Sequence, residues 1–222
     1  GLSRRADFGE NRCKQQGGEK CQHTGIACFI QFQLTVNLSS VTVVLFSILA
    51  GFESPFTAMQ LLWLNIVMDG PPALTLGLEP IRGDLMQKKP TRRDANIISR
   101  QMLSRIAVNG IFIAAVFLGQ HVWNFMGASE SEMSTVLFTL FVIFQLFNAF
   151  NSRELSNESI FKDIAGNKSM LAVFALTFAF QVIITQFGGM FFDTVPLSGA
   201  MWLKIVAVAF TVVLASEAAK IV

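Results

Sequence analysis

LLWLNIVMDGPPALTLGLEP, residues 61–80, decides how the chain is read. It opens as a run of leucine, tryptophan, isoleucine and valine without a basic residue, the composition of a helix meant for lipid. Within that run sits one carboxylate, Asp69, followed at once by Gly70-Pro71-Pro72. An acidic side chain near mid-bilayer costs about 2.5–3.5 kcal/mol on insertion scales, so it has to face protein, water or an ion. Two prolines remove two amide donors and crowd the preceding turn, which breaks the helix. Carbonyls freed in this way are tolerated in a membrane only where protein or a cavity gives them partners. A carboxylate beside an interrupted helix is the way transporters build ion sites.

Outward from this stretch, apolar runs near the length of a membrane span recur at residues 34–52, 58–78, 106–118, 134–150, 170–187 and 200–215. The third and sixth need flanking residues to cross. Of 222 residues 52% are hydrophobic and 14% charged, where a soluble domain carries roughly 25% charge. The sequence therefore predicts an all-α membrane protein, a bundle of six transmembrane helices whose second span is broken at Gly70-Pro71-Pro72. No connection is long enough to hold a soluble domain; the longest runs over residues 79–105. The expected partner is the lipid bilayer. A net charge of +2 gives no reason to expect a nucleic acid.

Lysine and arginine set the direction of insertion. Arg82, Lys88, Lys89, Arg92, Arg93, Arg100 and Arg105 follow the second span, and Arg153, Lys162 and Lys168 follow the fourth. The other connections carry Glu53, Glu130, Glu132 and Asp193 instead. Both termini are then cytoplasmic in a multi-pass protein. Trp123 and Trp202 fall near the opposite interface, and Lys204 is expected to snorkel outward from the last span.

Asn65 lies one helical turn before Asp69 and shares its face. Asn37 lies in the first span, and the tight connection at 51–57 makes the first two spans antiparallel neighbours. Three oxygen-bearing side chains, Asn37, Asn65 and Asp69, are thus candidates to converge at one depth. Such a set suits a hard cation such as Ca2+, and it offers no sulfur or imidazole for zinc or copper. Gln145, Asn148, Gln181 and Gln186 are weaker signals, read as hydrogen bonds between helices. Ser39, Ser40 and Thr42 are able to bond their own helix backbone.

Residues 1–28 differ from the rest. They are polar, lack the apolar core of a signal peptide, and hold all three cysteines, Cys13, Cys21 and Cys28. Their spacing, with His23, fits no common zinc pattern. The stretch is expected to be poorly ordered as far as about Thr24, having no apolar face to bury.

The residues quoted resemble the P-type cation pumps, in their calcium-transporting, plasma-membrane-type branch. QFQLTVN (31–37) is similar to the start of that family's fifth membrane helix, and LLWLNIVMDGPPALTLGLEP to its sixth. KKPTRRDANIISR (88–100) is similar to the cytoplasmic loop that follows, and FQLFNAFNSR (144–153) and QFGG (186–189) to the ends of the eighth and ninth. The resemblance spans residues 29–222 and implies a C-terminal transmembrane domain of such a pump in the cell membrane. It places Asn37, Asn65 and Asp69 on calcium-coordinating positions. It also puts Ser40 and Gln145 where two-ion pumps carry glutamates, and Met68 where they carry a threonine, which implies one Ca2+ site.

No D-K-T-G phosphorylation loop or T-G-E loop is present in these 222 residues. ATP and Mg2+ would act only through domains missing from this chain, in the missing N-terminal part of the pump. The family's basic stalk is not recognisable in residues 1–28, which implies a shifted reading frame upstream of Ile30. An ATP-driven calcium exporter, a translocase of which this is the membrane portion, is the first functional expectation. A stand-alone six-span protein serving as a passive cation path or assembly partner is the second.

Overall fold

The computed structural model describes the backbone of residues 2–52, 54–69, 100–152 and 168–218, and the side chains of 26–52, 54–66, 100, 102–152 and 171–218. Seven helices occupy these residues: α1 Leu2–Leu49, α2 Ala58–Asp69, α3 Arg100–Trp123, α4 Glu130–Ser152, α5 Lys168–Phe187, α6 Gly189–Phe192 and α7 Gly199–Ala218.

The all-α expectation holds, but the expected six spans do not. Among the described residues, four helices are long and apolar enough to cross a membrane: Ile26–Leu49 within α1, Met102–Trp123, Glu130–Ser152 and Gly199–Ala218. The second predicted span, 58–78, is a helix only over the 12 residues Ala58–Asp69 among those described. At 1.5 Å per residue it rises about 18 Å, against a hydrocarbon core of about 30 Å. Gly70-Pro71-Pro72 lies outside the described residues. The fifth predicted span has an apolar stretch, Leu171–Phe187, that rises about 26 Å, and Gly188 breaks the regular helix directly after it. Apolar composition marked both segments; among the described residues the apolar helix is 12 residues long in one and runs only over Leu171–Phe187 in the other, short of the roughly 20 residues a span needs.

α4 is the hub. FTLFVIF (138–144) is apolar but for Thr139, the pattern of a helix enclosed by others. Leu137, Phe138, Leu140, Phe141, Ile143 and Phe144 are all buried. α1, α2, α3, α5 and α7 each pack against it. Phe56, from the connection between α1 and α2, wedges its ring 5.2 Å from Phe141 and 5.5 Å from Phe117. Phe117 meets Phe141 edge-on at 5.9 Å. Such aromatic pairs contribute roughly 0.5–1.5 kcal/mol beyond the area they bury. On the outside, Leu34, Leu38, Val41, Leu45 and Ile48 form an exposed stripe at helical spacing along α1, suited to lipid or to further apolar helix.

The helix starts are locally encoded. Thr57 and Gln60 form a reciprocal cap at α2: the Thr57 amide donates to Gln60 Oε1 at 3.1 Å, and the Gln60 amide to Thr57 Oγ1 at 3.3 Å. Ser129 caps α4 through Glu132, whose Oε2 accepts from the Ser129 hydroxyl at 2.7 Å. Ser198 accepts the Met201 amide at 3.2 Å and opens α7.

Candidate cation site

α1 places Asn37 on its exposed side, among Leu34, Leu38 and Val41. The helix around it is tightened by hydroxyls bonding back to its carbonyls: Thr35 to Gln31 at 2.8 Å, Ser39 to Val36 at 2.9 Å, and Ser40 to Asn37 at 3.1 Å. These hydroxyls are occupied locally, as the sequence suggested for Ser39 and Ser40.

α2 carries Asn65 on its exposed side, beside Leu61, Leu62 and Ile66. Its opposite side is pinned to the bundle. Gln60, fully buried, donates through Nε2 to the Phe192 carbonyl of α6 at 2.9 Å. Trp63 donates from its indole to Gln181 Oε1 of α5 at 3.0 Å, and Leu64 is buried beside them. Asp69 closes the described length of α2; its side chain lies outside the described residues. α1 and α2 contact each other, as their short connection requires. Asn37 and Asn65 are therefore on neighbouring helices and both face outward.

The other amides behave differently. Gln145 on α4 is buried, and its two ends are engaged: Nε2 donates to Ser39 Oγ at 3.2 Å, while Oε1 accepts from Asn148 Nδ2 at 3.3 Å. One of the two lone pairs on its oxygen is thus engaged within α4. Asn151 donates to the Val212 carbonyl of α7 at 3.3 Å. Gln181 donates to Thr185 Oγ1 at 3.2 Å, and the Thr139 and Thr185 hydroxyls are 3.2 Å apart. Gln186 donates to the Leu197 carbonyl at 2.8 Å, tying the end of α5 to the start of α7. Gln145 and Gln181 bond between helices, as read from the sequence; Asn148 bonds within α4, to Gln145, and Gln186 reaches the Leu197 carbonyl ahead of α7.

Among the described residues, no group of three or more histidine, cysteine, aspartate or glutamate side chains is placed to hold a metal. The donor set offered on α1 and α2 is one of amide oxygens. Cys13, Cys21 and His23 have side chains outside the described residues; Cys28 is buried in the core. Sequence reasoning overlooked Gln60 and Trp63. The signal for Gln60 was present in T-x-x-Q before an apolar run, the capping pattern of a helix start.

A helical bundle in which four of the described helices are long and apolar enough to cross a membrane defines a multi-span membrane protein. The family profile for the C-terminus of cation-transporting ATPases matches residues 53–222, and the chain belongs to that family. It is 36% identical over 187 residues to the probable calcium-transporting ATPase 8, plasma membrane-type, of Oryza sativa subsp. japonica, covering 82% of this chain and 18% of that protein. Over 195 residues it is 35% identical to the calcium-transporting ATPase 12, plasma membrane-type, of Arabidopsis thaliana, covering 86% of this chain and 19% of that one. The chain thus spans less than a fifth of the length of these relatives.

Proposed function

We propose that this chain supplies part of one intramembrane Ca2+ site of an ATP-driven calcium exporter, with Asn37, Asn65 and Asp69 as its ligands. The observation that carries the reading is a contrast between amides. Those of Gln60, Gln145 and Gln181 are buried and bonded, whereas Asn37 and Asn65 stand exposed among leucines on adjacent helices. A bare amide against lipid is unfavourable, so these two call for further protein or an ion. The names of the relatives, calcium-transporting ATPases, supply the ion.

Calcium takes six to eight oxygens. Three side chains fall short of that, and the remainder comes from helices outside this chain. ATP and Mg2+ act in domains that are likewise outside it. Gln145, whose amide is engaged by Ser39 and Asn148, is at most a marginal participant, and the site takes one ion. A tilt of α1 against α2 separates the oxygens and releases the ion, a rigid-body mechanism. The protein sits in the cell membrane with both termini cytoplasmic, Arg100 and Arg105 marking the cytoplasmic end of α3 and Glu130 and Glu132 the outer end of α4.

The test is calcium-activated phosphoenzyme formation by a pump carrying this segment, measured with Asn37→Ala, Asn65→Ala and Asp69→Asn at matched expression. Each variant is expected to need more calcium, Asp69→Asn most of all. Near-normal calcium dependence in Asp69→Asn would end the assignment.

A further inference from the structure

We propose that Gln181, on α5, is a positioning residue that sets the rotation of α2 and so the direction in which Asn65 faces; its bearing on ion binding rests on the reading above. Gln181 is fully buried and carries no ligand role. Its Oε1 accepts the Trp63 indole N–H at 3.0 Å. Its Nε2 is held from behind by Thr185 Oγ1 at 3.2 Å and Thr139 Oγ1 at 3.5 Å. The amide is therefore fixed in orientation, oxygen toward α2, by two hydroxyls on two different helices.

Helix geometry makes that fixed acceptor matter. A residue advances about 100° round an α-helix, which puts Asn65 about 140° from Gln60 and about 200° from Trp63. Gln60 holds the first turn of α2 to the Phe192 carbonyl. The Trp63–Gln181 bond holds the next turn, and the Trp63 ring is braced edge-on by Phe180 at 6.4 Å and Phe192 at 6.2 Å. Two successive turns bonded on one side oblige the opposite side, with Asn65, to point away from the bundle. Deleting the second bond leaves α2 pinned at one end only and free to roll about the Gln60 anchor.

The experiment uses the 222-residue chain in nanodiscs, with Cys13, Cys21 and Cys28 replaced by alanine and a reporter thiol introduced by Asn65→Cys. Its rate of reaction with a small thiosulfonate is compared with that of a thiol from Leu45→Cys, on the exposed stripe of α1. Gln181→Leu and Trp63→Phe should each change the rate at position 65 by about threefold, the shift that one interhelical hydrogen bond in a bilayer supports. The double variant should change it no more than either single one. Gln181→Glu keeps an acceptor for the indole and should return the rate to that of the parent. The rate at position 45 should stay constant throughout. If the rate at position 65 is unmoved by Trp63→Phe, or if position 45 moves equally, Gln181 does not position α2. Should Gln181→Leu fail to fold, Gln181→Met, close in size to glutamine and without its amide, takes its place beside Trp63→Phe, leaving the Trp63 ring and its braces intact. The measurement needs no calcium, so its failure is distinct from a failure of the Ca2+ assignment.

Discussion

Lys204 Nζ donates to the Met126 carbonyl at 2.7 Å. The lysine expected to snorkel outward from the start of the last span reaches the turn between α3 and α4 and ties the start of α7 to it. That turn is built for the task. Asn124 takes a left-handed conformation (φ 45°) and Gly127 another (φ 70°). Asn124 Oδ1 accepts the Ala128 amide at 2.8 Å, and Gln120 Oε1 accepts the Met126 amide at 3.0 Å. With its amide taken, the Met126 carbonyl is presented outward to the ammonium.

Removing the ammonium should loosen this end of the bundle. Lys204→Met is expected to lower stability by about 1 kcal/mol, the usual net worth of one hydrogen bond, because Lys204 is exposed. Lys204→Arg should recover most of it. Thermal unfolding in detergent gives the first quantity, and amide exchange at residues 124–129 should rise in Lys204→Met alone.

Gly188 should tolerate no side chain. A Cβ there would run into the Ile184 carbonyl oxygen and lie 3.1 Å from the Phe192 ring. The obstacle is backbone, and the same carbonyl accepts both the Gly188 amide at 2.8 Å and Thr194 Oγ1 at 3.0 Å. Gly188→Ala is expected to cost about 1–3 kcal/mol, the range for overpacking. Gly199→Ala is the control: nothing lies within 4 Å of its Cβ position, and the change should be neutral or stabilising by about 0.5 kcal/mol. An equal effect of the two in thermal unfolding would refute this account of the QFGG turn.

Gly110 of α3 lies against Leu38 of α1. A methyl on Gly110 would fall 2.9 Å from Leu38 Cδ2, the end of a flexible side chain. Gly110→Ala should therefore cost less than about 1 kcal/mol, while Gly110→Ile should wedge the helices apart and cost about 1–3 kcal/mol. Leu38→Ala in the Gly110→Ile background should restore part of that loss. A double-mutant cycle on thermal stability gives the coupling. Additive effects would show that the contact is not what limits the approach.

Stability and calcium dependence should separate between Gln145 and Asp69. Gln145→Leu removes the partner of both Ser39 and Asn148 and leaves a buried amide without its acceptor. The expected cost is about 1–2 kcal/mol of bundle stability, with calcium affinity unchanged within about twofold. Asp69→Asn keeps the shape and removes the full charge that draws a divalent ion into a site of low dielectric. A loss of calcium affinity of at least about a hundredfold is expected, with little change in stability. Thermal unfolding and calcium-activated phosphoenzyme, measured on both variants, decide it. A calcium defect in Gln145→Leu as severe as that in Asp69→Asn would mean that the ligand set, or the number of ions, is wrong.

Helix, bilayer and family were legible in the sequence because each is written in local chemistry. The run around Asn65 and Asp69 is apolar, breaks at two prolines and carries its own carboxylate, and no tertiary contact is needed to recognise it. Ser129 with Glu132 and Thr57 with Gln60 likewise mark helix starts within four residues of chain. Tertiary structure decided which helix is central and where each face turns. Counting apolar residues gave 58–78 and 170–187 the same standing as the other four runs, whereas among the described residues their apolar helices are Ala58–Asp69 and Leu171–Phe187. In water an apolar face points inward. In lipid, Leu45 on the exposed stripe and Leu140 in the core are equally at home, so hydropathy cannot tell outside from inside. That choice falls to the few polar pairs that lipid will not satisfy. Gln145 with Ser39 and Trp63 with Gln181 lie 106 and 118 residues apart in the chain, a separation across which no local pattern carries information.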